Sequence, residues 1–223
     1  RFRVTVSLFW IAVLLLGGSF QNVYGETANR CHCFKERTYN PADAFSADDY
    51  ILATSFNSLI ARSFDIPKRQ IIMLKMKEGT GQDELLLGLK ISKVSGVDLA
   101  QLLNLRKTKK WRQILAEPTL SEKIKADSLL ESVQSGLSIG EAGQKIADEM
   151  IGNFYKIPVE AVEKFRRSGL NEKEIALVFI LSQARKQRPE KLVEQYRNEG
   201  KSWSAIAHSL GIEPEAAGKM ILH

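Results

Sequence analysis

Helix-start signals that recur at short intervals from about residue 45 onward restrict the fold of this chain more than any other feature. Thr119-Leu120-Ser121-Glu122, Ser138-Ile139-Gly140-Glu141 and Asn171-Glu172-Lys173-Glu174 each match a capping box. In that pattern the first side chain caps the helix and the fourth reaches back to its N-terminus. Ser46 and Asp49 stand in the same relation, which assigns the acidic group Asp43, Asp48 and Asp49 to the start of a first helix. Pro67, Pro158, Pro189 and Pro214 fall where a first helical turn tolerates a missing N–H. No strand-type alternation competes with these signals, so the expected fold class is all-α.

The helical part repeats itself. Phe64-Asp65-Ile66-Pro67 resembles Tyr155-Lys156-Ile157-Pro158, with Ile71 and Leu74 opposite Val162 and Phe165, all 91 positions apart. After a one-residue deletion Gly79, Glu84, Leu85, Leu87 and Ser92 fall opposite Gly169, Glu174, Ile175, Leu177 and Ser182. Trp111 and Ile114 then match Trp203 and Ile206. The reading is two similar multi-helix lobes, 46–117 and 139–223, from a tandem duplication, joined by a helical connector at 118–138. The rival reading is that any two amphipathic stretches of 3.6-residue period align with a few gaps.

The first 25 residues read as an address. Arg1-Phe2-Arg3 precedes an uncharged apolar run from Val4 to Leu16, and small and polar residues lead to Val23-Tyr24-Gly25. That order is a secretory signal peptide, and at 13 residues the run falls short of the roughly 20 a membrane span requires. The alternative is an uncleaved anchor, in which case the signal is the chain's membrane contact. Arginines ahead of the apolar run keep that end in the cytoplasm, so both readings expect the body to be extracytoplasmic, periplasmic or secreted. The first residue is Arg rather than Met, so the reading also expects residues ahead of it.

An extended arm at 26–45 contains both cysteines of the chain, as Cys31-His32-Cys33. Two thiolates and an imidazole could give a zinc or copper ion three soft ligands, one short of the usual structural set. The competing account is a pair of oxidised thiols, since an exported chain meets an oxidising compartment.

Near the C-terminus Trp203-Ser204-Ala205-Ile206-Ala207-His208-Ser209-Leu210-Gly211-Ile212, continuing to Met220, resembles a helix-turn-helix. Ala207 lies four residues before the turn glycine Gly211, with Ile206, Leu210, Ile212, Ala217 and Met220 at packing positions. The resemblance implies a second helix offering Glu213, Glu215 and Lys219 to a DNA groove. Two acids there would be repelled by phosphate, and no Arg or Asn reads bases, so a plain helical hairpin is the preferred account.

Charge selects no partner. The balance of 32 basic against 26 acidic residues permits weak attraction to anionic surfaces and demands none. Arg106, Lys107, Lys109, Lys110 and Arg112 cluster around Trp111, but at helical spacing they spread around the circumference rather than form a stripe. The run Arg185-Lys186-Gln187-Arg188 sits at an expected helix C-terminus, where cations suit the dipole. His32, His208 and His223 stand apart, without a neighbouring nucleophile or acid in a catalytic pattern, and no phosphate loop or calcium loop occurs. The expectation is therefore a binding or structural module with a protein or peptide partner, self-association included, rather than an enzyme. The rivals are metal binding by Cys31, His32 and Cys33 and nucleic-acid binding through the C-terminal tract.

Overall fold

The computed structural model describes residues 34 and 36–222, and these contain thirteen helices and no strand. The proposed signal and the Cys31, His32, Cys33 set lie outside the described residues. The first part contains α1 (Asp48–Phe64), α2 (Lys68–Lys77), α3 (Gln82–Ser95), α4 (Leu99–Arg106) and α5 (Trp111–Leu115). The short helices α6 (Pro118–Ile124) and α7 (Ser128–Ser135) follow. The second part contains α8 (Ile139–Tyr155), α9 (Val159–Arg167), α10 (Glu172–Arg185), α11 (Pro189–Arg197), α12 (Trp203–Ser209) and α13 (Pro214–Lys219).

Helix lengths recur in order. The series 17, 10, 14, 8, 5 for α1 to α5 is followed by 17, 9, 14, 9, 7 for α8 to α12. The turns recur too. Asp65 and Lys156 end α1 and α8 in the left-handed conformation, at φ 52° and 57°. Ile66 N–H and Ile157 N–H then each donate back to the carbonyl five residues earlier, of Ala61 and Gly152. Gly79 and Gly169 both take positive φ, where a Cβ would be strained. The hydroxyls of Ser92 and Ser182 each donate to the carbonyl five residues on, at 2.7 and 2.6 Å. Trp111 and Trp203 each occupy the first position of a short helix and are buried.

Packing interlocks the two parts. The first helix of each part lies on the third helix of the other, α1 on α10 and α8 on α3, and α1 also lies along α13. One continuous apolar core results, running from Ile51 through Leu87, Trp111 and Ile151 to Leu177 and Trp203. α13 approaches α1 closely because residue 218 is glycine: a Cβ there would stand 2.9 Å from the Thr54 carbonyl.

Several caps differ from expectation. Ser138 with Glu141 and Asn171 with Glu174 form complete capping boxes. Thr119 does not cap, because Pro118 takes the first helical position and places Thr119 inside α6. Pro67 and Pro158 stand one residue earlier than expected, as the N-cap residues of α2 and α9. The Ser46/Asp49 pair also fails to form a box. Ser46 donates to the Asp43 carbonyl, and Ala47 precedes α1 without a side-chain cap. Asp48 is directed elsewhere: it accepts from the backbone N–H groups of Trp203 and Ser204 at 2.9 and 2.8 Å, capping α12 from another part of the chain.

Candidate functional site

The residues singled out in the sequence resolve mostly into packing. In the C-terminal tract Gly211 makes the left-handed turn at φ 68°, and Ile206, Ala207, Ile212 and Ala217 are buried. Met220, expected to pack, is 42% exposed, because α13 turns its small face, Ala217 and Gly218, toward its neighbours. That helix lies against α1 and is not presented for insertion into a groove. His208 bonds Glu213 at 2.8 Å and stacks on Tyr39 of the arm, with ring centroids 4.6 Å apart.

Around Trp111 two of the five cations are paired. Arg106 Nε lies 2.7 Å from Glu84 Oε1, too bent for a hydrogen bond, and Lys109 bonds Glu117 at 2.6 Å. Arg185 bonds the carbonyls of Leu210 and Gly211, so it closes the end of α12 rather than its own helix. Among the described residues no group of three His, Cys, Asp or Glu side chains is arranged to hold a metal ion. Residues 31–33 lie outside that set.

Among the described residues three cavities are candidate sites. The first is about 500 Å³ and lies between α1, α3 and α8, with Phe64, Val94, Ile146, Met150 and Phe154 as its apolar lining. Its rim carries Lys90, Lys93 and Lys156 against one acid, Glu149. Lys90 is neutralised in place, 3.0 Å from both Asp127 and Glu149. Burial alone would lower its pKa, but hydrogen bonds to these two carboxylates outweigh that and raise it. Lys93 donates to the Ser63 carbonyl at the end of α1 and lies 5.5 Å from the centre of the Phe64 ring. Neither Lys93 nor Lys156 has a carboxylate partner among the described residues.

A second cavity, about 380 Å³, lies between α8, α10 and α13 and is lined by Phe154, Tyr155, Ile180, Gln183, Ala184, Met220 and Ile221. Ile180, Gln183 and Ala184 stand in α10 where Lys90, Lys93 and Val94 stand in α3. This cavity carries no charge. Burial raises the pKa of the Tyr155 phenol, so the ring stays neutral. The third cavity, about 480 Å³, lies where residues 34 and 37 meet α1 and α2.

A polar cluster that sequence reading missed surrounds the starts of α3 and α10 and draws its side chains from α1, α2, α8 and α9 as well. Asn57 accepts from Lys75 at 2.9 Å, and Asp148 accepts three bonds from Arg166, with both pairs 18 residues apart in the chain. That shared spacing was present in the sequence as a signal. Lys75 is pushed down to about 8, first by burial and then by Lys173. Asp83 is raised by burial and by Glu172, and packs against α8 at Gly143, where a Cβ would stand 2.4 Å from its carboxylate.

Comparison with protein-family models, with curated proteins and with solved structures returned no match to this chain.

Proposed function

We propose that this chain is an exported all-α binding module, built from a duplicated five-helix unit, that holds an acidic, apolar segment of a protein partner between α1, α3 and α8. The observation that carries this reading is the contrast between two cavities that share two matching walls, the end of α1 with α3 in one and the end of α8 with α10 in the other. One is lined by Phe64 and Phe154 and by two lysines, Lys93 and Lys156, without carboxylate partners among the described residues, while the other has no charged residue in its lining. A copied unit whose two grooves differ in charge has specialised one of them, and apolar clefts with a few placed charges are the usual form of recognition sites.

Duplication is supported by the recurring helix lengths, left-handed turns and serine bonds, and by the reciprocal packing of first helix on third. Export is supported by the order of charge, apolar run and small residues in the first 25 positions. A DNA-reading role has little support from a second helix lying backbone-close on α1.

The test is selection of displayed random peptides on the purified chain, run in parallel with K93E/K156E. The expected result is enrichment of sequences that combine Asp or Glu with aromatic or aliphatic residues, lost in the charge-reversed variant. Enrichment without acidic bias, or unchanged by the reversal, overturns the groove assignment. Intact mass of the chain from separated cell fractions checks the export reading, which fails if the uncleaved chain is cytoplasmic.

A further inference from the structure

In the cavity beside the arm the polar groups point to a single ligand chemistry. Arg37, Thr54, Asn57, Lys68, Ile72 and Met76 are among its lining, and no acid lines it among the described residues. Lys68 Nζ donates to the Thr54 hydroxyl at 2.7 Å and has no carboxylate partner among the described residues. It is roofed by α13, where a Cβ on Gly218 would stand 3.1 Å from that nitrogen. Thr54 uses its oxygen to accept from Lys68, which leaves its O–H to donate. Asn57 Oδ1 is likewise occupied by Lys75, so what Asn57 has left to offer is its amide N–H.

Arg37 sits 5.7 Å from the centre of the Tyr50 ring and forms no ion pair among the described residues. The polar lining is therefore an array of donors, two of them cations. Burial and the nearby Lys219 hold Lys68 down at about 8, the mark of an ammonium that lacks a counter-ion. Along α2 the sequence Lys68, Ile72, Met76 advances by fours, so one face runs from the cation to two apolar side chains over about 12 Å. Met76 is an exposed large apolar residue at the far end of that face.

We infer that this cavity binds a small amphipathic carboxylate, a medium-chain fatty acid, with its head group at Lys68, Thr54, Asn57 and Arg37 and its chain along Ile72 and Met76. A volume near 480 Å³ lies within the range of small-molecule sites and suits a ligand of about a dozen heavy atoms. The head group supplies the counter-ion the two cations lack, and the chain covers the apolar stripe.

The experiment is titration calorimetry of the purified full chain with decanoate, decanol and decyltrimethylammonium, repeated with K68M and R37Q. Decanoate is expected to bind at least tenfold tighter than decanol, and the cationic amphiphile not at all. K68M removes a desolvated charge and keeps the alkyl stem, so it folds. It should weaken decanoate at least tenfold and change decanol less than twofold, and R37Q should weaken decanoate by a smaller factor. Equal affinity for decanoate and decanol, or decanoate binding untouched by both variants, overturns the assignment. So does binding to vesicles of anionic phospholipid with no binding of free decanoate, which would make the cations a membrane contact.

Discussion

Gln82 and Glu172, the first residues of α3 and α10, meet face to face, the Gln82 amide donating to the Glu172 carboxylate across 90 positions of sequence. Each also meets a cation from the helix before it. Lys75 donates to Gln82 at 3.3 Å, and Arg166 stands 3.8 Å from Glu172.

Replacing Gln82 by Glu sets two carboxylates against each other at that point. The donor is lost and like charges are opposed in a partly buried place, so Q82E should lower stability by about 1–3 kcal/mol. Q82E/E172Q, which restores one donor and one acceptor, should recover most of the loss. Urea denaturation of the three proteins decides this, and equal midpoints for wild type and Q82E would show the contact to be energetically idle.

Asp148 is buried and its partner is Arg166, so removing the guanidinium leaves a carboxylate without its cation. R166M should cost about 3–5 kcal/mol. The other part of the chain uses Asn57 and Lys75 for the same connection, so D148N/R166K should be more stable than R166M. Thermal melts of the two variants give the order, and the reverse order would refute the equivalence of the two pairs.

Asp48 holds the start of α12 through two backbone N–H groups and the Ser204 hydroxyl, at 2.9, 2.8 and 2.7 Å. D48A should cost about 2 kcal/mol, the loss of a cap. Hydrogen exchange should quicken first at the amides of 203–206, ahead of the rest of the core. D48N keeps an acceptor oxygen and should fall between wild type and D48A in denaturant midpoint.

Lys68 and Lys75 both titrate near 8 in the folded chain, against an ordinary 10.5. Below pH 8 both states hold the proton and the unfavourable burial is fully present. Between about pH 8 and 10 the unfolded chain binds more protons than the folded one, so stability rises with pH. After allowance for solvent screening the gain is about 2 kcal/mol for the pair. Urea midpoints at pH 7.5 and 9.5 should therefore increase, and K68M/K75M should flatten the difference. A falling midpoint in the parent would contradict the buried-ammonium account.

Gly218 sets the approach of α13 to α1. A methyl there would press on the Thr54 carbonyl and hydroxyl, at 2.9 and 3.0 Å, and on Lys68 Nζ. G218A should destabilise by about 1–3 kcal/mol despite alanine's better helix propensity, because backbone cannot yield as a flexible side-chain end can. It should also weaken decanoate binding, by displacing Lys68 Nζ and the Thr54 hydroxyl. A stabilised G218A would place α13 farther from α1 than described.

Helix starts were legible where a capping pair within one turn meets no rival partner and no adjacent proline. Ser138 with Glu141 and Asn171 with Glu174 are three residues apart, and both form as the pattern implies. Ser46 with Asp49 has the same spacing and fails, because the carboxylate between them, Asp48, is drawn to amides 155 and 156 residues away. Met220 has the periodicity of a packing residue and is exposed, since periodicity specifies a face and not what meets it.

By itself the sequence determined the all-α class, the starts of α8, α10, α11 and α13, and the buried tryptophans at 111 and 203, because capping, proline placement and apolar period act over a few residues. Only the tertiary structure decided that α1 lies on α10 and α8 on α3, that Gln82 meets Glu172, and that Lys68 faces a cavity without an acid. Apolar faces of similar helices are interchangeable as partners, and what selects among them is the simultaneous fit of side chains far apart in the chain.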